Sequence, residues 1–200
     1  MKILAFVDLH GSERGMKSLK KLVKKENPDI IVCAGDMTIF EQHIETILKK
    51  ISQLKKPVLV IHGNHEDESI VDRICLEHEN MFFIHKKAFV YENVLFLGWG
   101  GGGFSTADKE FERKAKGFKK KMEGFDKVVL LTHAPPYNTK IDKIIDESCG
   151  NKSIRRFIIE NTKKVKVAIS GHLHENAGRE DRIKETRIVN PGPFGKVITV

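Results

Sequence analysis

Asp29-Ile30-Ile31-Val32-Cys33-Ala34-Gly35-Asp36 is the stretch from which the fold can be read. Its apolar middle, led by two β-branched isoleucines, is the signature of a strand buried on both faces. The glycine breaks the strand, and an aspartate stands at its carboxyl edge, where open α/β sheets bind ligands. A single strand-ending Asp is usually a turn or cap residue. Here the pattern recurs. Lys2–Val7 runs into Asp8-Leu9-His10, Val58–Ile61 into Gly63-Asn64-His65, Val128–Leu131 into Thr132-His133, and Val165–Ile169 into Gly171-His172-Leu173-His174. All five strands deliver Asp, Asn or His at the same end, which is what a metal site needs.

Between the first strands lie amphipathic helices. Met16, Leu19, Leu22 and Val23 predict one over Ser12–Asn27, ended by Pro28. Phe40, Ile44, Ile47, Leu48 and Ile51 predict a second, closed before Pro57, and Ile70–His78 a third. This β-α-β-α-β-α order is the grammar of a doubly wound sheet. The rhythm then changes. Met81–His85 and Ala88–Tyr91 read as strands, and Glu92-Asn93 turns into Val94–Trp99. A glycine run, Gly100–Gly103, leads to a lysine-rich helix over Thr106–Lys121 and the strand Lys127–Leu131. A loop through Pro135-Pro136 follows, then a helix capped by Asn151 or Ser153, and three closing strands at Arg179–Ile183, Thr186–Val189 and Lys196–Val200. Paired strands in both halves, with helices between them, predict two packed sheets flanked by helices. With 200 residues, one domain over 1–200 is expected.

Composition narrows the classes. The chain is 40% hydrophobic and 31% charged, a soluble globular balance. No apolar run approaches the roughly 20 residues of a membrane span, so no membrane partner is expected. MKILAFVDLH reads as a first strand and not as a signal peptide. Three widely spaced cysteines, Cys33, Cys75 and Cys149, argue against a disulfide framework, so a reducing cytoplasmic location is expected. The net charge of +8 comes from lysine clusters without interleaved aromatics, which reads as solvated helix faces. Nucleic acid is therefore not the favoured partner.

The strand-end donors are Asp8, His10, Asp36, Asn64, His133, His172 and His174. Seven exceed the needs of one tetrahedral ion and suit two ions sharing a carboxylate. Imidazole and carboxylate without thiolate favour Mn2+, Fe2+ or Zn2+ over Ca2+ or a cysteine-rich zinc site. Two adjacent cations acidify water and neutralise a phosphoryl oxygen, chemistry suited to displacement at phosphorus. Each donor alone has a plainer reading: Asp8 as a turn residue, Asn64 as a helix lead-in, His133 as a satisfied loop group. Their joint recurrence outweighs those readings.

Asp-x-His, Gly-Asp, Gly-Asn-His-Glu, a strand-end His and Gly-His-x-His, in that order, resemble the calcineurin-like metallophosphoesterases. The match spans Asp8 to Asn190-Pro191-Gly192, and Thr132-His133-Ala134-Pro135-Pro136 with Gly171-His172-Leu173-His174-Glu175 is most similar to the small, stand-alone, Icc-related branch. The resemblance implies a four-layer α/β/β/α sandwich. It implies that Asp8, His10, Asp36 and His174 hold one ion and that Asp36, Asn64, His133 and His172 hold the other, with Asp36 bridging. It further implies two divalent ions, Mn2+ first, with Fe2+, Zn2+ or Ni2+ as alternatives, and hydrolysis of phosphodiesters or small phosphomonoesters. His65 is implied to bind the phosphate or protonate the leaving oxygen, without being a ligand. Many relatives carry an acid three residues after the bridging Asp to orient that histidine. This chain has Ile39 there, so Glu66, Asp67 or a backbone carbonyl is expected to take over. The alternative reading is a metal- or nucleotide-binding regulatory protein with little turnover. A nuclease of similar core would need capping segments that this length does not supply.

The remaining candidates are plainer. His43 and His78 read as helix-surface residues, His85 as a hairpin neighbour, and His62 as a strand-end residue with support of the ligands as its alternative. Gly100–Gly103 reads equally as a donor-lined edge of the substrate site or as a flexible connection. Cys33 is expected in the core and Cys149 in a loop. Arg155 and Arg156 are expected to be solvated.

Overall fold

A computed structural model describes residues 1–200. The first half builds β1 (Lys2–Phe6), α1 (Glu13–Glu26), β2 (Ile30–Cys33), α2 (Ile44–Ser52), β3 (Val58–Val60), α3 (Glu68–Leu76) and β4 (Met81–Phe83). The second half builds β5 (Ala88–Tyr91), β6 (Val94–Trp99), α4 (Lys109–Lys121), β7 (Val128–Thr132), a short hairpin of β8 (Lys143–Ile144) and β9 (Glu147–Ser148), and α5 (Lys152–Glu160). β10 (Val165–Ile169), β11 (Glu180–Ile183), β12 (Thr186–Val189) and β13 (Lys196–Thr199) complete it.

One sheet has the order β13-β1-β2-β3-β4 and the other β11-β12-β10-β7-β6-β5. β1 to β4 are parallel, as are β6, β7, β10 and β12, while β13, β5 and β11 pair antiparallel at the edges. Side-chain alternation sorts the strands into three cores. Leu4, Phe6, Ile31, Cys33, Val58 and Val60 face α1, α2 and α3. Ile3, Ala5, Val7, Ile30 and Val32 meet Phe96, Val129, Leu131 and Ile169 between the sheets. Leu95, Leu97, Val128 and Leu130 face α4 and α5. The architecture is a four-layer α/β/β/α sandwich, and no helix is long and apolar enough to cross a membrane.

Several expectations change. The first sheet is not doubly wound. Its strand order runs one way from β1 to β4, so right-handed crossovers put α1, α2 and α3 on one face, and the second sheet takes the other. Phe40 does not join the apolar face of α2, because Phe40, Glu41 and His43 all have positive φ and the helix starts only at Ile44. Phe40 is exposed instead. α3 begins at Glu68, where Asp67 accepts from the Ser69 and Ile70 amides, and α4 begins at Lys109, where Asp108 accepts from Phe111. Asn151, not Ser153, caps α5. In β10 the register shifts between Val165 and Val167, so these residues face different cores despite their even spacing.

Candidate metal centre

Each site residue leaves the carboxyl end of a parallel strand: Asp8 and His10 after β1, Asp36 after β2, Asn64 and His65 after β3, His133 after β7, His172 and His174 after β10. To turn a buried strand outward within one or two residues, the backbone enters the left-handed region at Asp8, His10, Asp36 and His172, with φ of 53°, 44°, 50° and 69°. Such strain concentrates at functional sites. Gly63 permits the closest approach. A Cβ there would stand 1.9 Å from Asp36 Oδ1, so the β3 turn can lie against the carboxylate only as glycine.

The seven donors gather into two groups joined by Asp36. Asp8, His10, Asp36 and His174 offer ligand atoms within 4.8 Å of one another, as do Asp36, His133 and His172. The amide oxygen of Asn64 completes the second group, 3.0 Å from His133 Nε2. His65 lies beside both, its Nε2 3.9 Å from Asp36 Oδ2 and its ring 4.9 Å from that of His10. Its backbone N–H donates to Asp36 Oδ1 at 3.0 Å, which fixes the carboxylate from behind.

The ring tautomers follow from the backbone. His10 Nδ1 donates to the Thr38 carbonyl at 2.8 Å and His133 Nδ1 to the Ala34 carbonyl at 2.9 Å. Each leaves Nε2 as an acceptor aimed inward, as a metal-binding imidazole requires. The His133–Ala34 bond also ties the second sheet to the first. Around His133 Nε2, two further acceptors then converge, Asn64 Oδ1 at 3.0 Å and Asp36 Oδ2 at 3.3 Å. Acceptors meeting without a donor need a positive charge among them, either a proton or a cation. The buried atoms Asp8 Oδ2 and His172 Nε2 have no hydrogen-bond partner at all. These residues therefore fit divalent ions.

The electrostatics agree. Burial lifts the Asp8 carboxyl to about 6, against the pull of His133 and His174. Burial also works on Asp36, but a proton on His133 Nε2, which supplies the missing positive charge, and the His65 N–H outweigh it and bring the carboxyl to about 2. His133 is pushed down by burial and raised above the ordinary value by Asp36, the balance expected for a ring that must share its acceptor face with a proton. Burial takes His172 down to about 4 and lowers His10, which keeps both neutral and free to ligate.

Three groups take roles other than those read from the sequence. Glu66 does not orient His65. Buried, it accepts from the N–H of Asp36 at 3.0 Å, of Gly63 at 2.9 Å and of Thr38 at 2.9 Å, and from the Thr38 hydroxyl at 2.9 Å, tying the β2 and β3 turns together. The position of Ile39 is covered by its neighbour: the Phe40 N–H donates to His65 Nδ1 at 3.4 Å, and the Phe40 ring packs 4.4 Å from the imidazole. A backbone amide, and not an acid or a carbonyl, thus orients the ring and leaves the proton on Nε2. His62 and His85 form a third group under the glycine run. The Gly100 N–H donates to His85 Nδ1 at 2.7 Å and the Gly101 N–H to the His62 carbonyl at 3.0 Å, so these two amides do not face a substrate. Glu68 meets His85 Nε2 at 3.0 Å and Lys86 at 3.4 Å. Arg155, expected to be solvated, donates instead to the Tyr137 and Asn138 carbonyls at 2.8 and 2.9 Å, pinning the loop after His133. Arg156 is exposed and pairs with Glu112.

An uncharacterized protein of Methanocaldococcus jannaschii is 32% identical over 207 residues, covering 96% of this chain and 88% of that one. Among solved structures, a Thermus thermophilus protein superposes with a TM-score of 0.76 at 16% identity, covering 96% of this chain and 89% of that one. A dimetal phosphatase from Danio rerio does so with 0.67 at 10% identity, covering 94% and 86%. Those two likenesses are of fold. The family model of the calcineurin-like phosphoesterases matches residues 1–176, from β1 through the His172-x-His174 turn that closes the donor cluster. With these motifs folded into one cluster that fits divalent metal, the chain belongs to the calcineurin-like phosphoesterase family of phosphate-ester hydrolases.

Proposed function

We propose that this chain is a phosphodiesterase working with two divalent ions, Mn2+ first among them. Asp8, His10, Asp36 and His174 would hold one ion, and Asp36, Asn64, His133 and His172 the other. The observation that carries the reading is the Asp36 carboxylate, common to both donor groups, with acceptors converging on it. When bound, the ions supply Lewis acidity that neutralises phosphoryl oxygens and acidifies water. The chain's own residues do the rest. The backbone carbonyls of Thr38 and Ala34 hold His10 and His133 in their ligating tautomers. His65 Nε2–H, set by the Phe40 amide, donates a hydrogen bond to a phosphate oxygen; with Nδ1 accepting that amide, the ring holds no second proton to pass to a leaving oxygen. The Mn2+ protein should hydrolyse 4-nitrophenyl esters in a metal-dependent manner. Metal or nucleotide binding without turnover, across a panel of metals, would instead make it a regulatory binding protein.

His65→Ala should leave metal content near normal and slow the chemical step about a hundredfold, the lower end for a general acid or donor. The lower end is expected because, with a backbone N–H on Nδ1, the ring offers the substrate one hydrogen bond from Nε2. Loss of metal on this substitution would make His65 a ligand and overturn the assignment.

The diester preference follows from where the cations are. A monoester dianion needs donors beyond the ions for its extra charge. Arg155 is committed to loop carbonyls and Arg156 to Glu112. Lys140 lines a separate cavity with Lys143, Arg179 and Asp181. With Mn2+ at neutral pH, bis(4-nitrophenyl) phosphate should therefore exceed 4-nitrophenyl phosphate in kcat/KM. The reverse order would overturn the substrate preference and leave the metal site standing.

A further inference from the structure

Two phenylalanines stand in the open at the metal centre. Phe40 is 72% exposed and Phe104 64% exposed. Phe40 packs on His65 with ring centroids 4.4 Å apart, and Phe104 on His172 with centroids 4.6 Å apart. The two rings thus rest on different members of one site, the donor and a candidate ligand. Phe40 is held there at a cost in backbone conformation, and Phe104 by a turn that only glycines make freely. Phe40 sits at φ 45°, and Phe104 follows Gly101, Gly102 and Gly103, which have φ of 69°, 103° and 43°. A scattered exposed apolar side chain needs no explanation, but exposed aromatics against catalytic groups do. The core offers them no shelter.

We propose that Phe40 and Phe104 are stacking platforms for planar groups on the ester oxygens, and that the substrate is a small nucleoside phosphodiester. Every nucleobase has a π-face, and stacking on an exposed aromatic ring is tolerant of base identity. The platforms lie within one side chain of the groups expected to surround phosphate, so a base attached to that phosphate through a sugar is the occupant of the right size. The net charge of +8 favours an anionic substrate over a neutral aromatic one. The absence of a cation committed to a second phosphate charge fits a diester. The inference rests on the phosphodiesterase reading above, and names the substrate class for that site.

The test holds the leaving group constant. The Mn2+ protein is given thymidine 5′-(4-nitrophenyl phosphate) and ethyl 4-nitrophenyl phosphate, and the ratio of their kcat/KM values is compared among wild type, Phe40→Leu, Phe104→Leu, Phe40→Trp and Phe104→Trp. The wild type should prefer the nucleoside ester by about tenfold, within the range of one stacked base. At least one Leu variant should bring the ratio close to one, while its Trp counterpart keeps it. A second readout, calorimetric Kd of thymidine 5′-monophosphate against ribose 5-phosphate, should show the same pattern without turnover. A wild-type ratio near one, or a ratio unchanged in both Leu variants, overturns the proposal. Failure to hydrolyse either ester, with base-dependent binding still lost in a Leu variant, would sink the phosphodiesterase reading and leave the platforms in place.

Discussion

Asp36→Asn is expected to cost metal occupancy and activity together, with kcat/KM down more than about a hundredfold. Removal of a residue that merely orients a ligand already costs about 10–100-fold, and Asp36 belongs to both donor groups. The substitution is nearly isosteric, and the amide oxygen can keep the bond from the His65 N–H at Oδ1. The amide nitrogen then takes the place of Oδ2, facing His133 Nε2 at 3.3 Å and His10 Nε2 at 3.7 Å. It brings hydrogens where a cation is wanted and removes the one charge shared by both sites. Elemental analysis of the purified variant beside a turnover assay checks this. Two ions per chain retained with near-normal turnover would overturn the proposal that Asp36 bridges them.

The second large effect is expected at Glu66, which touches no substrate. Glu66→Gln should lower stability by about 1–3 kcal/mol, the cost of a buried donor left unpaired, and metal affinity by about 10–100-fold. Four donors converge on its two oxygens, and an amide offers only one oxygen. Whichever way the amide turns, its N–H groups meet at least one backbone N–H; only the Thr38 hydroxyl can reverse its role. Burial raises the Glu66 carboxyl above the usual range despite these donors, and the mismatch of N–H against N–H is what the amide adds. The β2 and β3 turns should loosen, and Asp36 with them. Thermal denaturation of the metal-free protein separates the stability term from the metal term. A variant with unchanged midpoint and unchanged metal affinity would mean that Asp36 is held by the Gly63 contact and the His65 N–H alone.

Much of this was legible from residue order, because the information is local. The apolar runs of β1, β2, β3, β7 and β10 are recognisable one by one, and each is followed at once by its donors. That adjacency named Asp8, His10, Asp36, Asn64, His133, His172 and His174 before any strand was paired. Where the signal was weak the elements went unseen: β8 and β9 are two residues each, too short for a pattern, and lie inside what reads as the loop after Pro135-Pro136.

Residue order alone dictates which main strands exist, which face of each helix is apolar, and which side chains leave the strands at their carboxyl ends. How these parts meet is a matter of tertiary packing. The strand order from β1 to β4 places three helices on one face and leaves the other for the second sheet, a choice that no local pattern encodes. The carbonyls that set the His10 and His133 tautomers come from Thr38 and Ala34, 28 and 99 residues away. The amide that orients His65 belongs to Phe40, 25 residues earlier. Backbone groups are identical in every residue, so composition cannot say which carbonyl or N–H will stand beside a given ring. Packing decides that, and with it which ring nitrogens are left free to face one another and which, like His85 Nδ1, accept from a loop amide.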